Sequence, residues 1–186
     1  MILTGPGIAA AHTEGLVLID PFTASQVNPN SYNVRLGPRL LRYTGEILDP
    51  YQVNETEQLE IGDGYVLKAG EFYLGHTIET VGTTSHVPML YGRSSVGRLG
   101  LFVQITAPIG DIGYVGQWTL QLAPVRPLRV YTGMEIGQIM FIASTGPIAP
   151  YAGKYQHSRG PQASQYWRGR TIPAPRLPAD DLEQAA

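Results

Sequence analysis

Twenty-two glycines and fifteen prolines are spread through the 186 residues of this chain, and they exclude most ways of building it. Glycine interrupts helices by its backbone freedom and proline by its missing N–H, so no long helix fits between them. What lies between is a series of short runs, alternating or rich in β-branched and aromatic residues: YNVRL, LLRYT, GYVLK, EFYLGHTIE, VPMLYG, LFVQIT, QWTLQLA, LRVYT and QIMFIA. Many short strands separated by turn residues predict a mainly β fold of the sandwich, jelly-roll or barrel type. Helix is confined to two short segments, Pro6 to Thr13 with Thr4 as its N-cap, and Ser95 to Leu99.

The length suits one domain with a single core. From about Pro147 the composition shifts to Gly, Pro, Gln and Arg, which cannot build a core of its own. Residues 1–167 are therefore read as one domain. Within it, a segment at about 147–167 carries aromatic and basic side chains able to dock, and 168–186 is read as a disordered tail. The formal net charge of −2 gives no global basic field, so neither nucleic acid nor an anionic membrane is an expected partner. Absence of cysteine excludes disulfides, a thiol nucleophile and thiolate metal sites, and the four histidines lack metal-ligand spacing, so no zinc is expected. With neither a leader pattern nor a run of transmembrane length, a cytoplasmic location is expected.

The stretch YGRSSVGRLGL packs Arg93, Ser94, Ser95 and Arg98 into one glycine-flanked turn. Backbone N–H groups, serine hydroxyls and guanidinium forks together favour a polyanion, which makes this turn a candidate phosphate site. A plain surface turn with solvated arginines fits the same residues, so context decides. Ten residues on, TAPIGDIGYVGQWTLQL sets Asp111, Tyr114 and Gly116 before a strand. A carboxylate there suits a water or a sugar hydroxyl and a ring suits a sugar face, although taken alone the stretch reads first as an Asx-turn with a buried Tyr. In YAGKYQHSRGPQAS, Tyr151, Lys154, Tyr155 and Arg159 lie on a segment able to close over a nucleotide. Trp118 and Trp167 read as core or interface residues, and His157 as a residue near phosphate.

Taken in order, IDPF, NPNSYNVRLG, AGEFYLGHTIE, GRSSVGRLGL, TAPIGDIGYVG, GMEIGQIMF and KYQHSRGPQAS resemble the successive blocks of the dCTP deaminase family, within the superfamily it shares with trimeric dUTPase. The resemblance runs from about residue 14 to 167. It implies a mainly β, distorted jelly-roll subunit in a homotrimer, with active sites at subunit contacts and a pyrimidine deoxynucleoside triphosphate bound as its Mg2+ complex. Arg93, Ser94 and Ser95 would then hold phosphate oxygens, and Ser94 and Arg98 would help organise the attacking water. Asp111 would accept from the sugar 3′-hydroxyl and Tyr114 would pack under the deoxyribose. Thr119, Leu120 and residue 121 would meet the base, and Tyr151, Lys154 and Ser158 the closing segment's side of the nucleotide. Deamination in this family needs no zinc, because a glutamate on the central strand shuttles the protons.

That glutamate is Gln121 here. A neutral amide keeps the shape but cannot take and return a proton. Asn33 stands where the family block has Asp, Gln104 where deaminases carry His, and Ser158 where a Gln reaches toward the base; Glu79 and Glu135 are candidate substitutes for the lost acid. Three readings follow. The first is zinc-independent hydrolytic deamination of dCTP, or a related cytosine nucleotide, to dUTP. The second is a dUTP diphosphatase, since GDIGYVGQ resembles the Asp-x-x-Tyr-x-Gly motif. The third is a nucleotide-binding homologue without catalysis.

Overall fold

The alternation in QWTLQLA is the plainest link from sequence to architecture. In the computed structural model, which describes residues 1–104 and 106–169, it lies within a strand, Val115–Pro124, whose residues alternate between half-exposed and buried without a break. Gly116, Trp118, Leu120 and Leu122 turn inward, while Gln117, Thr119 and Gln121 share the outer face. Period two therefore puts Thr119 and Gln121 on one surface and sends the Leu120 side chain into the core.

Eleven strands and two α-helices are present among the described residues. In chain order the strands are β1 (Val17–Asp20), β2 (Tyr32–Arg35), β3 (Arg39–Tyr43), β4 (Thr56–Glu60), β5 (Tyr65–Leu67), β6 (Tyr73–Thr83), β7 (His86–Gly92), β8 (Leu101–Val103), β9 (Val115–Pro124), β10 (Leu128–Val130) and β11 (Glu135–Ala143). The largest sheet runs β4-β3-β6-β9-β8 with β1 added to β6. A second runs β2-β11-β7, and β10 pairs with β5. All these pairings are antiparallel. One buried cluster draws Ile19, Leu40, Tyr73, Val81 and Leu120 from the first sheet and Tyr32, Val34, Leu90, Ile139 and Phe141 from the second, so the two sheets share a core. The mainly β expectation holds.

Helix α1 (Gly5–Thr13) begins one residue before the predicted start but on the predicted cap, with the Gly7 N–H donating to Thr4 Oγ1 at 3.3 Å. Helix α2 (Ser94–Gly97) begins one residue before the predicted start and ends two before the predicted end. Only four residues long and without a side-chain cap, it contributes little dipole, so attraction for an anion at this turn rests on the arginines. No helix among the described residues is long and apolar enough to cross a membrane. Of the tail expected over 168–186, residues 170–186 lie outside the described residues.

Candidate functional site

Between His76 and Thr80 of β6 the register with β9 slips, so that Thr77, Ile78 and Glu79 stand opposite Trp118 alone. Side chains satisfy the interrupted ladder. The Trp118 N–H donates to Thr77 Oγ1 at 2.9 Å, and Gln117 Nε2 donates to the Ile78 carbonyl at 3.0 Å. Beside this irregularity lies a cavity of about 850 Å3, within the size range of small-ligand sites. Its lining includes Asp111, Tyr114, Thr119, Gln121, Tyr151, Lys154 and Ser158, residues drawn from two separate stretches of the sequence.

Gln121 sits in a neutral setting. Thr106 Oγ1 donates to Gln121 Oε1 at 3.2 Å, and the Gln121 N–H donates to Gln104 Oε1 at 3.2 Å. Gln104 in turn donates from its backbone N–H to the Gln121 carbonyl at 3.0 Å and from Nε2 to the Ala107 carbonyl at 2.8 Å. These bonds hold Gln104 at φ 57°, a left-handed conformation that is costly for a residue with a side chain. The Gln104 amide thus fixes the loop against β9. Asp111 is the sole carboxylate lining the cavity among the described residues. Tyr114 donates its hydroxyl to the Gln117 carbonyl at 3.0 Å, and burial pushes its phenol up to about 12, so it stays a neutral ring and donor.

The segment after β11 runs alongside β9 of its own subunit. Tyr151 N–H donates to the Ile112 carbonyl at 2.7 Å, His157 N–H to the Val115 carbonyl at 2.8 Å and Gln117 N–H to the Ser158 carbonyl at 2.9 Å. Gly160 N–H reaches Gln117 Oε1, and Gln162 N–H reaches Thr119 Oγ1 at 3.0 Å. The Tyr114 ring meets Trp118 and Tyr151 edge-on, forming an aromatic floor. Lys154 Nζ donates to the Gln165 carbonyl, which holds its charge beside the cavity. Trp118, read from sequence as core or interface, is both buried and part of the lining.

The Arg-Ser turn lies elsewhere. None of Arg93, Ser94, Ser95 and Arg98 lines the cavity of this subunit, and Ser94, Ser95 and Arg98 are exposed. Arg93 Nη1 pairs with Glu135 Oε2. Glu135 does not line the cavity, and Glu79, fully buried and paired with Arg35 Nε at 2.7 Å, does not either. Neither stands beside Gln121 in the cavity of this subunit. Leu120 faces the core, so any contact with a base would come from its backbone. Tyr43, Phe72 and Gln162 also line the cavity. Sequence reading gave no signal for them, because each is brought in by strand pairing or by docking of the C-terminal segment.

A family model described as dCTP deaminase-like matches residues 2–144. A protein of Clostridium acetobutylicum named dCTP deaminase, dUMP-forming, is 45% identical over 170 residues, which cover 90% of this chain and 98% of that relative. A protein of the same name from Cytophaga hutchinsonii is 47% identical over 154 residues, covering 82% of this chain and 89% of the relative. The product in both names is dUMP, not the dUTP expected from sequence. Among solved structures, the 2'-deoxycytidine 5'-triphosphate deaminase from Agrobacterium tumefaciens matches with a TM-score of 0.62 at 24% identity, over 77% of this chain and 48% of that one.

Proposed function

The chain belongs to the dCTP deaminase-like family of hydrolases, and from that premise we propose that it converts dCTP to dUMP in the cavity beside β9. The observation that carries this reading is the convergence of Asp111, Tyr114, Thr119, Gln121, Tyr151 and Lys154 on one space of nucleotide size. Two waters are consumed. One adds at C4 of cytosine as a proton reaches N3 and ammonia leaves; the other cleaves between the α- and β-phosphates, releasing diphosphate. Gln121 and Thr106 hydrogen-bond the base and the water at C4, and Tyr114 packs against the deoxyribose. Asp111 accepts from the sugar or orients the second water. Lys154 lies where it offsets phosphate charge.

Mg2+ would arrive bound to the triphosphate, whose oxygens supply its ligands. No step is assigned to zinc, since the nucleobase deaminases that use it hold it through cysteine, which this chain lacks. The Arg93–Arg98 turn lies outside the cavity of its own subunit, so in this reading a neighbouring copy brings it to the phosphates and the homotrimer is the working unit. Exposed Leu99, Phe102 and Ile109 offer apolar surface for such a contact.

A second reading, hydrolysis of dUTP to dUMP without deamination, is favoured by one observation. Among the described residues, the groups hydrogen-bonded around Gln121 are an amide and a hydroxyl, from Gln104 and Thr106, while a carboxylate lines the cavity at Asp111. Incubation with magnesium and either dCTP or dUTP, with chromatography of the products and an ammonia assay, separates the two. Release of dUMP and ammonia from dCTP is expected. Product from dUTP alone transfers the assignment to the second reading, and no product from either overturns both.

A further inference from the structure

Arg93 is held by a charge arrangement that the proposed chemistry does not use. Glu135 begins β11 at a break in its register with β2, where Glu135 stands opposite Arg35 and Gly137 opposite Val34. At that break β11 grips Arg93 twice. The Arg93 N–H donates to the Ile136 carbonyl at 3.2 Å, and Arg93 Nη1 donates to Glu135 Oε2. The same Oε2 accepts from Asn33 Nδ2 at 3.0 Å, and Asn33 Oδ1 accepts from Asn28 Nδ2 at 2.7 Å. Asn33 is 3% exposed, so its amide is locked into this chain of bonds.

We infer that Glu135 is the positioning residue for Arg93: its carboxylate fixes the guanidinium at the mouth of α2, and the buried amide of Asn33 fixes the carboxylate. The inference rests on the proposed role of Arg93 in holding phosphate. A guanidinium has five N–H donors in a rigid fork, so pairing through Nη1 leaves other edges for an incoming anion. Restricting the fork beforehand lowers the entropy lost when a phosphate binds. Position 33 carries no charge of its own, so the arrangement tolerates one carboxylate shared between positions 33 and 135. Two carboxylates there would repel each other, and one would be forced to take up a proton.

The test reads Arg93 directly. In the full-length protein, 15N NMR of the Arg93 guanidinium reports whether its rotation is restricted, and calorimetry with Mg·dCTP and Mg·dUTP reports affinity. Glu135→Gln is expected to free the rotation and weaken nucleotide binding about tenfold, the scale of one charge-assisted hydrogen bond. Asn33→Asp alone is expected to lower the urea unfolding midpoint at neutral pH. Introduced into Glu135→Gln, the same substitution is expected to raise the midpoint and restore restricted rotation together with most of the affinity. This change of sign would not arise if Glu135 were only packing.

Unchanged Arg93 rotation in Glu135→Gln, or an Asn33→Asp effect of the same sign in both backgrounds, overturns the inference. If Glu135→Gln does not fold, the double variant decides: folding with a restricted guanidinium supports the exchange of the carboxylate, and failure to fold contradicts it. A wild-type protein that binds neither nucleotide would overturn the proposed function, while the NMR series would still decide the role of Glu135.

Discussion

In the proposed reaction, position 121 offers an amide where deamination would call for a group that gives and takes protons. Substitution by a carboxylate restores that capacity with nearly the same shape. Gln121→Glu is therefore expected to raise the rate of ammonia release from dCTP by about 10²–10⁴-fold, the usual contribution of general acid–base catalysis. An unchanged rate would mean that proton transfer runs through another group. His76 makes a different prediction. It is 2% exposed, its Nδ1 donates to the Thr77 carbonyl at 2.9 Å, and its buried Nε2 makes no hydrogen bond among the described residues. Burial, more than the nearby Arg39 charge, holds its pKa below the ordinary imidazole value, and the hydrogen bond to the Thr77 carbonyl is the largest influence opposing that shift. A depressed folded-state pKa means that the unfolded chain binds the proton more readily. The stability due to neutral His76 is thus present above about pH 6.5 and is lost as pH falls below it. Urea midpoints measured from pH 8 to pH 5 should drop through this window, and His76→Gln should flatten the drop; an equal slope in the variant would contradict the assignment. Gln121 could be read from sequence because its stretch resembles the family's strand block, and the alternation of β9 then gives its face. The Arg93–Glu135 pair could not, because its partners lie 42 residues apart and meet only through the β7–β11 pairing.

Strands announced themselves where one face is buried and the other is not. QWTLQLA and QIMFIA were legible for that reason, and both lie in long strands of the shared core. β4 was not, since TEQLE alternates exposed and half-buried residues and lies at a sheet edge, where charge is tolerated and even useful. β1 was too short to register before Pro21. α1 was legible through Thr4 and Pro6, local signals that need no tertiary partner. At the join between β2 and β3, Gly37 donates its N–H to the His76 carbonyl at 2.7 Å, and a Cβ there would come within 2.1 Å of the His76 ring. Gly37→Ala is accordingly expected to cost about 1–3 kcal/mol, the range for overpacking, in urea unfolding. A variant as stable as the parent would show that the β2–β3 corner yields more easily than its packing implies.

Across the whole molecule, the sequence pointed to candidate binding residues but not to how they are divided. It placed the Arg93–Arg98 turn and the Asp111–Gln121 stretch in one site, whereas a single subunit keeps the turn outside the cavity. It also left open where the C-terminal segment docks, and in the structure that segment lies along β9 of its own chain. Separation of the phosphate turn from the cavity makes assembly a requirement of the proposed function. Sedimentation equilibrium should report three copies of the 20.2 kDa chain, and an active monomer would contradict the division of the site. The most direct test of the whole account is hydrolysis of dCTP in 18O-labelled water, with mass spectrometry of the nucleotide product. Two hydrolytic steps give dUMP carrying two labels, one at C4 of the base and one on its phosphate. Recovery of unlabelled dCTP, with no doubly labelled dUMP, would contradict the proposed conversion.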